Sequence, residues 1–318
     1  MPAKPSHPKP PGLPSWLAKS LTWGGSLLVL GVAAWFLHRY LAKIAWHDVA
    51  TAWSQIPDSR IAASFGAALL SLAMLSAFDV LAARTAVPGR VSIAGAAFAG
   101  AVTQAVSNTL GFQAVTSAAV RFRIYSAMGV SAGDVARIVS LAGLGVALGF
   151  AVAITGALCW QPAITHGWGR LPGIVLALLL IALLAWLSRR TRTVRLWHWT
   201  LAFPSARIAA MQMLIGGVEM AAAIGALYVL LPAAIAPPFI DFLPIYVGAV
   251  VAGLVSHSPG GLGVFESIML ASFPAEARAD LLAAMLCYRL TYYLLPFVLG
   301  CMALGAFEIR RRRGKSAG

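Results

Sequence analysis

Residues 242–273 read FLPIYVGAVVAGLV-SHSPGGLG-VFESIMLASF. Two apolar runs, each too short to cross a bilayer, meet at Ser256-His-Ser-Pro-Gly-Gly-Leu-Gly263. A membrane-crossing helix takes about 20 apolar residues, and Pro-Gly-Gly followed by Gly is a strong helix breaker. The segment therefore reads as a hairpin of two half-helices that enters and leaves on one side. A second interruption lies upstream. Within residues 91–130 an apolar stretch reaches Val106, stops at Ser107-Asn-Thr-Leu-Gly-Phe-Gln113 and resumes as A-V-T-S-A-A-V before Arg121.

Around these two segments lie six longer apolar runs, at 21–37, 61–83, 135–160, 171–187, 208–231 and 281–307. Composition agrees with them: 60% of the 318 residues are hydrophobic, 11% are charged and the mean hydropathy is +0.82. Soluble domains are about 45–50% apolar and about 25% charged, so the apolar excess faces lipid. The fold class is an all-α polytopic membrane protein with six full spans and two re-entrant broken-helix hairpins. Residues 1–19 are a Pro-rich basic tail of disordered composition, 20–308 form one membrane domain and 309–318 are a basic cytoplasmic tail. The first run follows lysines as a signal peptide would, but its length and the spans after it predict an uncleaved helix.

The net charge of +14 raises nucleic acid as a partner, but no water-soluble basic domain exists to carry one. With both termini cytoplasmic and both interrupted segments drawn as hairpins, 18 of the 24 Lys and Arg fall on the cytoplasmic face, as the positive-inside rule requires. Drawing either segment as a single crossing scrambles the signs. The hairpins also expose a symmetry: span, hairpin, span over 61–160 recurs upside down over 208–307. Inverted repeats with broken helices near the midplane are a transporter pattern. Non-helical backbone is tolerated in hydrocarbon only where it is buried in protein or lines a polar cavity, so 107–113 and 256–263 are expected to face one shared site.

Charged residues inside spans are costly and default to functional candidates. Glu219 lies 11 residues into its span, about 16 Å deep at 1.5 Å per residue. Glu266 follows the glycine break. Arg289 sits about two turns into the last span, able to pair with Glu266 or Glu219, or to bind an anionic headgroup through its planar fork. Arg121 and Arg123 close the first hairpin and, spaced by two, point to different helix faces. Asp79 lies near the cytoplasmic end of its span, where solvent or Arg84 is the expected partner. Pro259, Gly260, Gly261 and Gly263 free backbone N–H groups that can form an anion nest. Trp16, Trp23, Trp35, Trp46, Trp53, Trp160, Trp168 and Trp197 sit at segment ends as interfacial belts. Cys159, Cys287 and Cys301 lie in apolar runs and read as small hydrophobes. No zinc, P-loop or serine-hydrolase signature occurs, so no metal, cofactor or ATP site is expected.

Three motifs stand in order: Val120-Arg-Phe-Arg-Ile-Tyr-Ser-Ala-Met-Gly129, Ser258-Pro-Gly-Gly-Leu-Gly-Val-Phe-Glu266 and Tyr288-Arg-Leu-Thr-Tyr-Tyr-Leu-Leu-Pro296. Together they resemble the flippase-like family formed by the membrane region of lysylphosphatidylglycerol synthase and its stand-alone bacterial inner-membrane relatives. The resemblance covers the chain from first span to last. It implies a bacterial inner-membrane protein handling a membrane phospholipid, anionic or modified, with substrate-binding positions at Arg121, Arg123, Tyr125, Pro259, Gly260, Gly261, Gly263, Glu266, Tyr288 and Arg289, and a further motif position at Pro296. Glu219 joins them on depth alone. The family often carries Gly-Gly shortly before the first arginine, where this chain has Thr116-Ser117. Its transferase chemistry belongs to a separate soluble domain. This sequence ends at Gly318, so lipid aminoacylation by the chain itself is not expected. The alternative is a membrane subunit of, or partner to, a lipid-modifying synthase.

Overall fold

The computed structural model describes residues 46–110, 113–160, 170–189, 193–196, 199–202 and 204–316. The basic tail, the first apolar run at 21–37 and Trp16, Trp23, Trp35, Trp168 and Trp197 lie outside the described residues.

The described chain is almost wholly helical. A short helix, α1 (Trp46–Ser54), precedes α2 (Asp58–Ala86). Next come the pair α3 (Ile93–Leu110) and α4 (Gln113–Ala127), then α5 (Ala132–Trp160) and α6 (Arg170–Arg189). A small antiparallel ribbon, β1 (Thr193–Leu196) with β2 (Trp199–Ala202), occupies the basic link and is a minor departure from an all-helical chain. After it follow α7 (Ala206–Tyr228), the pair α8 (Phe239–Val255) and α9 (Val264–Ser272), α10 (Arg278–Tyr288), a π-helical turn (Arg289–Leu294) and α11 (Leu295–Ser316). Among the described residues, five helices are long and apolar enough to cross a membrane: Asp58–Ala86, Ala132–Trp160, Arg170–Arg189, Ala206–Tyr228 and the continuous stretch Ala275–Arg311. They coincide with five of the six full spans expected from sequence.

Local chemistry explains most boundaries. Ser205 caps α7, accepting the Ile208 N–H at 3.3 Å; N-cap serines satisfy donors that a helix start leaves open. Pro57 and Pro238 stand in extended backbone immediately before α2 and α8. The final span is not one regular helix. Pro296 lacks the N–H that its helix would donate, and the chain takes a π turn just ahead of it. Such turns are frequent at functional sites.

The first interruption is shorter than expected. Helix α3 continues through Ser107, Asn108 and Thr109 to Leu110, and α4 begins at Gln113. These polar residues contain no Pro or Gly pair, and Thr109 Oγ1 bonds back to the Ala105 carbonyl at 3.4 Å, a contact that a helix accommodates. Gly111 and Phe112 lie outside the described residues.

Two large clusters make up most of the core, beside a small one at Leu148, Leu187 and Ala209. One cluster joins α7, α8, α9 and α10 around Phe242, Tyr246, Met269 and Tyr288. The other joins α2, α3, α4 and α5 around Phe78, Ile124, Tyr125 and Ile138. Helix α2 packs along α7, α3 and α5, so it is the seam between them. Helix α5 crosses α7 at Gly149 and Gly216, where a Cβ on Gly216 would stand 2.2 Å from Gly149 Cα. Only the absence of side chains permits that approach. Helix α6 packs against α5 and α7 and leaves Leu171, Leu178, Leu179 and Ile181 exposed, an apolar face suited to lipid.

Candidate functional site

A cavity of about 660 Å³ opens where the two helix pairs meet. Ser107, Asn108 and Gln113 reach it from the α3–α4 pair; Gly253, Ser258, Gly260 and Gly261 reach it from α8 and the glycine turn. Helices α2, α5 and α7 supply Leu75, Phe78, Phe150, Gly216 and Glu219, and the π turn supplies Tyr292 and Tyr293. Both interruptions thus border one cavity. Its walls are chiefly apolar with a few polar groups, the usual make-up of a small-molecule site.

Glu219 is the carboxylate on this wall. Its Oε1 accepts from Ser71 Oγ at 2.8 Å and from Tyr292 Oη at 3.3 Å, and Ser71 and Tyr292 also touch each other at 2.7 Å. Among the described residues it forms no salt bridge, and no Lys or Arg lines the cavity.

The glycine turn is held from behind. His257, Gly260, Gly261 and Gly263 all have positive φ, at 55°, 56°, 68° and 82°, a region glycine enters without the Cβ clash. Glu266 reaches back from the first turn of α9 and accepts the Gly263 N–H through Oε2 at 2.8 Å. Its Oε1 takes Arg289 Nε at 2.8 Å and Nη2 at 2.6 Å. Arg289 Nη1 donates to the Gly260 carbonyl. The guanidinium also lies 4.6 Å from the Tyr293 ring centre and 5.4 Å from that of Phe265, positions for cation–π attraction. Of the two partners foreseen for Arg289, the structure selects Glu266.

Tyr288 is buried beneath this assembly, its hydroxyl 2.6 Å from that of Tyr246, and its ring is 4.9 Å from Tyr292. Neither Tyr288, Arg289, Glu266, Pro259 nor Gly263 lines the cavity; Gly260, Gly261 and Glu219 do.

Asp79 is a correction. Instead of solvent or Arg84, it is fully buried and paired with Arg121, Oδ1 to Nε at 2.9 Å and Oδ2 to Nη2 at 2.8 Å. Tyr125 Oη adds a third bond to Oδ1 at 3.1 Å. Helix α4 packs its buried side toward α2, so the arginine meets the aspartate 42 residues away instead of one turn away. Arg123 points the other way, as the spacing predicts, and bonds Glu308 Oε2 at 2.6 Å. Arg121, Arg123 and Tyr125 do not border the cavity.

Asn108 and Gln113 belong to the 107–113 segment expected at the shared site, and both border the cavity; sequence reasoning missed Ser71 and Tyr246. Ser71 is one of three serines in an apolar span, and Tyr246 resembles any other aromatic in one. Tyr292 and Tyr293 were visible inside the third motif but carried no assigned role.

No family model matches the chain. Curated relatives do. The uncharacterised protein slr0712 of Synechocystis is 29% identical over 92% of this chain and 94% of its own length. The inner membrane protein YbhN of Escherichia coli is 28% identical over 95% of this chain and 97% of its own length. A phosphatidylglycerol lysyltransferase of Staphylococcus xylosus is 25% identical over 90% of this chain but only 34% of its own length. They include a stand-alone inner membrane protein and a lysyltransferase of the kind the three motifs resemble, and this chain is a membrane protein related to both.

Proposed function

We propose that this chain carries a phospholipid headgroup across the inner membrane through the cavity between its two helix pairs. The observation that carries the reading is the cavity itself: about 660 Å³, bordered by both pair tips, apolar except for Glu219, the tyrosines, the two amides Asn108 and Gln113, Ser107, Ser258 and His257. Headgroup-sized polar lining beside apolar walls suits an amphiphile that keeps its chains in lipid. The α3–α4 and α8–α9 pairs act as re-entrant hairpins opening on opposite faces. The unit α2 to α5 and the unit from α7 to α11 form the inverted halves that rock about the cavity. Both termini lie in the cytoplasm.

Roles divide accordingly. Glu219, Gly260 and Gly261 meet the headgroup. Pro259, Gly263, Glu266, Tyr288 and Arg289 shape the turn that presents them, and Arg121, Arg123 and Tyr125 anchor the first hairpin. Because Arg121, Arg123 and Arg289 are engaged with carboxylates and, among the described residues, no Lys or Arg lines the cavity, a bare anion meets no cation on its wall, while Glu219 attracts positive charge. The favoured cargo is therefore a modified lipid whose headgroup carries an amine besides its phosphate. The relative named for lysine transfer to phosphatidylglycerol fits such a cargo, and its alignment with 90% of this chain supports a second reading, a membrane partner of a lipid-modifying enzyme.

The test is translocation of labelled lipids in proteoliposomes, comparing aminoacylated phosphatidylglycerol with phosphatidylglycerol. Wild type is expected to move the aminoacylated lipid faster than protein-free vesicles, with Glu219→Gln slowed about tenfold. Rates equal to protein-free vesicles for both lipids overturn the reading. Product formed from lipid by purified protein would favour an enzyme instead.

A further inference from the structure

Helix α2 and the face of α3 turned toward it carry more buried polarity than helix packing needs. On α2, Ser64, Ser71, Ser76 and Asp79 are all buried, spread over about 22 Å of helix. Ser64 meets Thr291 at 3.1 Å and Ser71 meets Glu219. On α3, Gly100 faces the same helix: a Cβ built there would stand 2.9 Å from Asp79 Cβ and 3.1 Å from its Oδ2. At 100° per residue, Thr103, Gln104 and Ser107 all lie within about 60° of the direction of Gly100, so they turn toward α2 as well. Thr103 Oγ1, Gln104 Oε1 and Ser107 Oγ are buried without a protein hydrogen-bond partner. Buried polar atoms in native proteins are almost always satisfied, by water where protein offers nothing. At the cavity end of the seam a void of about 10 Å³ is lined by Ser71, Asn108 and Tyr292, close to the space one water needs.

We propose that the α2–α3 seam is a hydrated proton path joining Glu219 in the cavity to the Asp79–Arg121–Tyr125 cluster. Each hydroxyl along it accepts one proton and releases another, so Ser71, Ser107 and Thr103 end unchanged. Glu219 takes a proton from hydronium in the cavity water and, as the acid, gives it to the first hydroxyl; the last hydroxyl gives it to water at the Ala86 end of α2, so one hydronium is consumed and one formed, and nothing is oxidised or reduced. Asp79 stays ionised against Arg121 and orients the far end of the chain. The groups facing Glu219 suit an exchangeable proton. They are Ser71 from α2 and Tyr292 by direct bonds, with Tyr246 of α8 and Tyr293 on the same cavity wall. His257 borders the cavity further off, α5 contributes only Val146, Gly149 and Phe150, and Arg289 is neutralised by Glu266. The path gives the chain a means of coupling to the proton gradient and stands whichever molecule the cavity carries.

The experiment uses full-length protein in liposomes loaded with a pH-sensitive dye, with a potassium diffusion potential driving protons inward. Wild type is expected to change internal pH several-fold faster than protein-free vesicles. Thr103→Val, which keeps the side-chain shape and deletes the hydroxyl, Ser107→Ala and Glu219→Gln are each expected to lower that rate at least fivefold. Ser140→Ala, on the exposed side of α5, is expected to leave it unchanged. Variants are compared only after matching wild type in gel filtration and thermal midpoint. Thr103→Val at wild-type flux, or wild type no faster than empty vesicles, overturns the path. Labelled-lipid movement followed in the same vesicles separates the two readings: lipid movement without proton flux removes the path alone, and proton flux without lipid movement removes the lipid assignment alone.

Discussion

Arg289 places Nε and Nη2 on one oxygen of Glu266, at 2.8 and 2.6 Å, while the other oxygen of Glu266 takes the Gly263 N–H at 2.8 Å. One carboxylate thus closes both the last span and the glycine turn. Removing one member of a buried ion pair strands the other, at about 3–5 kcal/mol. Arg289→Ala is therefore expected to lower the thermal midpoint in detergent sharply. Arg289→Lys should recover part of the loss at most, because an ammonium cannot reproduce a planar fork that meets Glu266 and the Gly260 carbonyl together. A Lys variant as stable as wild type would contradict this account.

Asp79 and Arg121 make the same kind of bond between α2 and α4, with both side chains almost completely buried. Asp79→Ala alone is expected to cost about 3–5 kcal/mol. The pair Asp79→Leu with Arg121→Met removes both charges and should be far milder, since buried pairs replaced by apolar groups are often neutral. Urea titration of the single and double variants gives the coupling energy directly. Additive losses would show that the two residues act separately.

Where α5 crosses α7, Gly216 has backbone against it. Gly216→Ala must push Gly149 aside, an overpacking cost of about 1–3 kcal/mol or more. The check is the thermal midpoint of Gly216→Ala beside Gly217→Ala, whose Cβ would meet only the Val152 side chain at 3.8 Å. The second variant should be nearly silent.

Filling the cavity separates transport from stability. Ala114 is exposed and lines the cavity from the start of α4. Ala114→Trp is expected to cut lipid movement at least tenfold while shifting stability by less than about 1 kcal/mol, as surface changes away from packed features do. Unimpaired transport with this variant would place the lipid route elsewhere.

The span boundaries were largely legible in the chain because they depend on local hydropathy. So was the turn at 256–263, where Pro259 and three nearby glycines leave few conformations open. The split faces of Arg121 and Arg123 followed from helix geometry. The break at 107–113 was overestimated because polarity alone does not end a helix that keeps its hydrogen bonds. The π turn at Arg289–Leu294 was missed, although Pro296 is its local signal.

What the sequence by itself determined is the solvent of this protein and its segmentation: which stretches are apolar, where they are cut and which few charges are left inside. Those properties follow from composition and short-range sterics. Only tertiary structure decided the partners. Ser71 meets Glu219 across 148 residues and Arg121 meets Asp79 across 42. Neither pairing is readable from spacing, because it depends on how far each helix is rotated against its neighbour. That rotation is set by close packing at places such as Gly149 and Gly216. The same rotation turns Glu219 toward the cavity and Asp79 away from it.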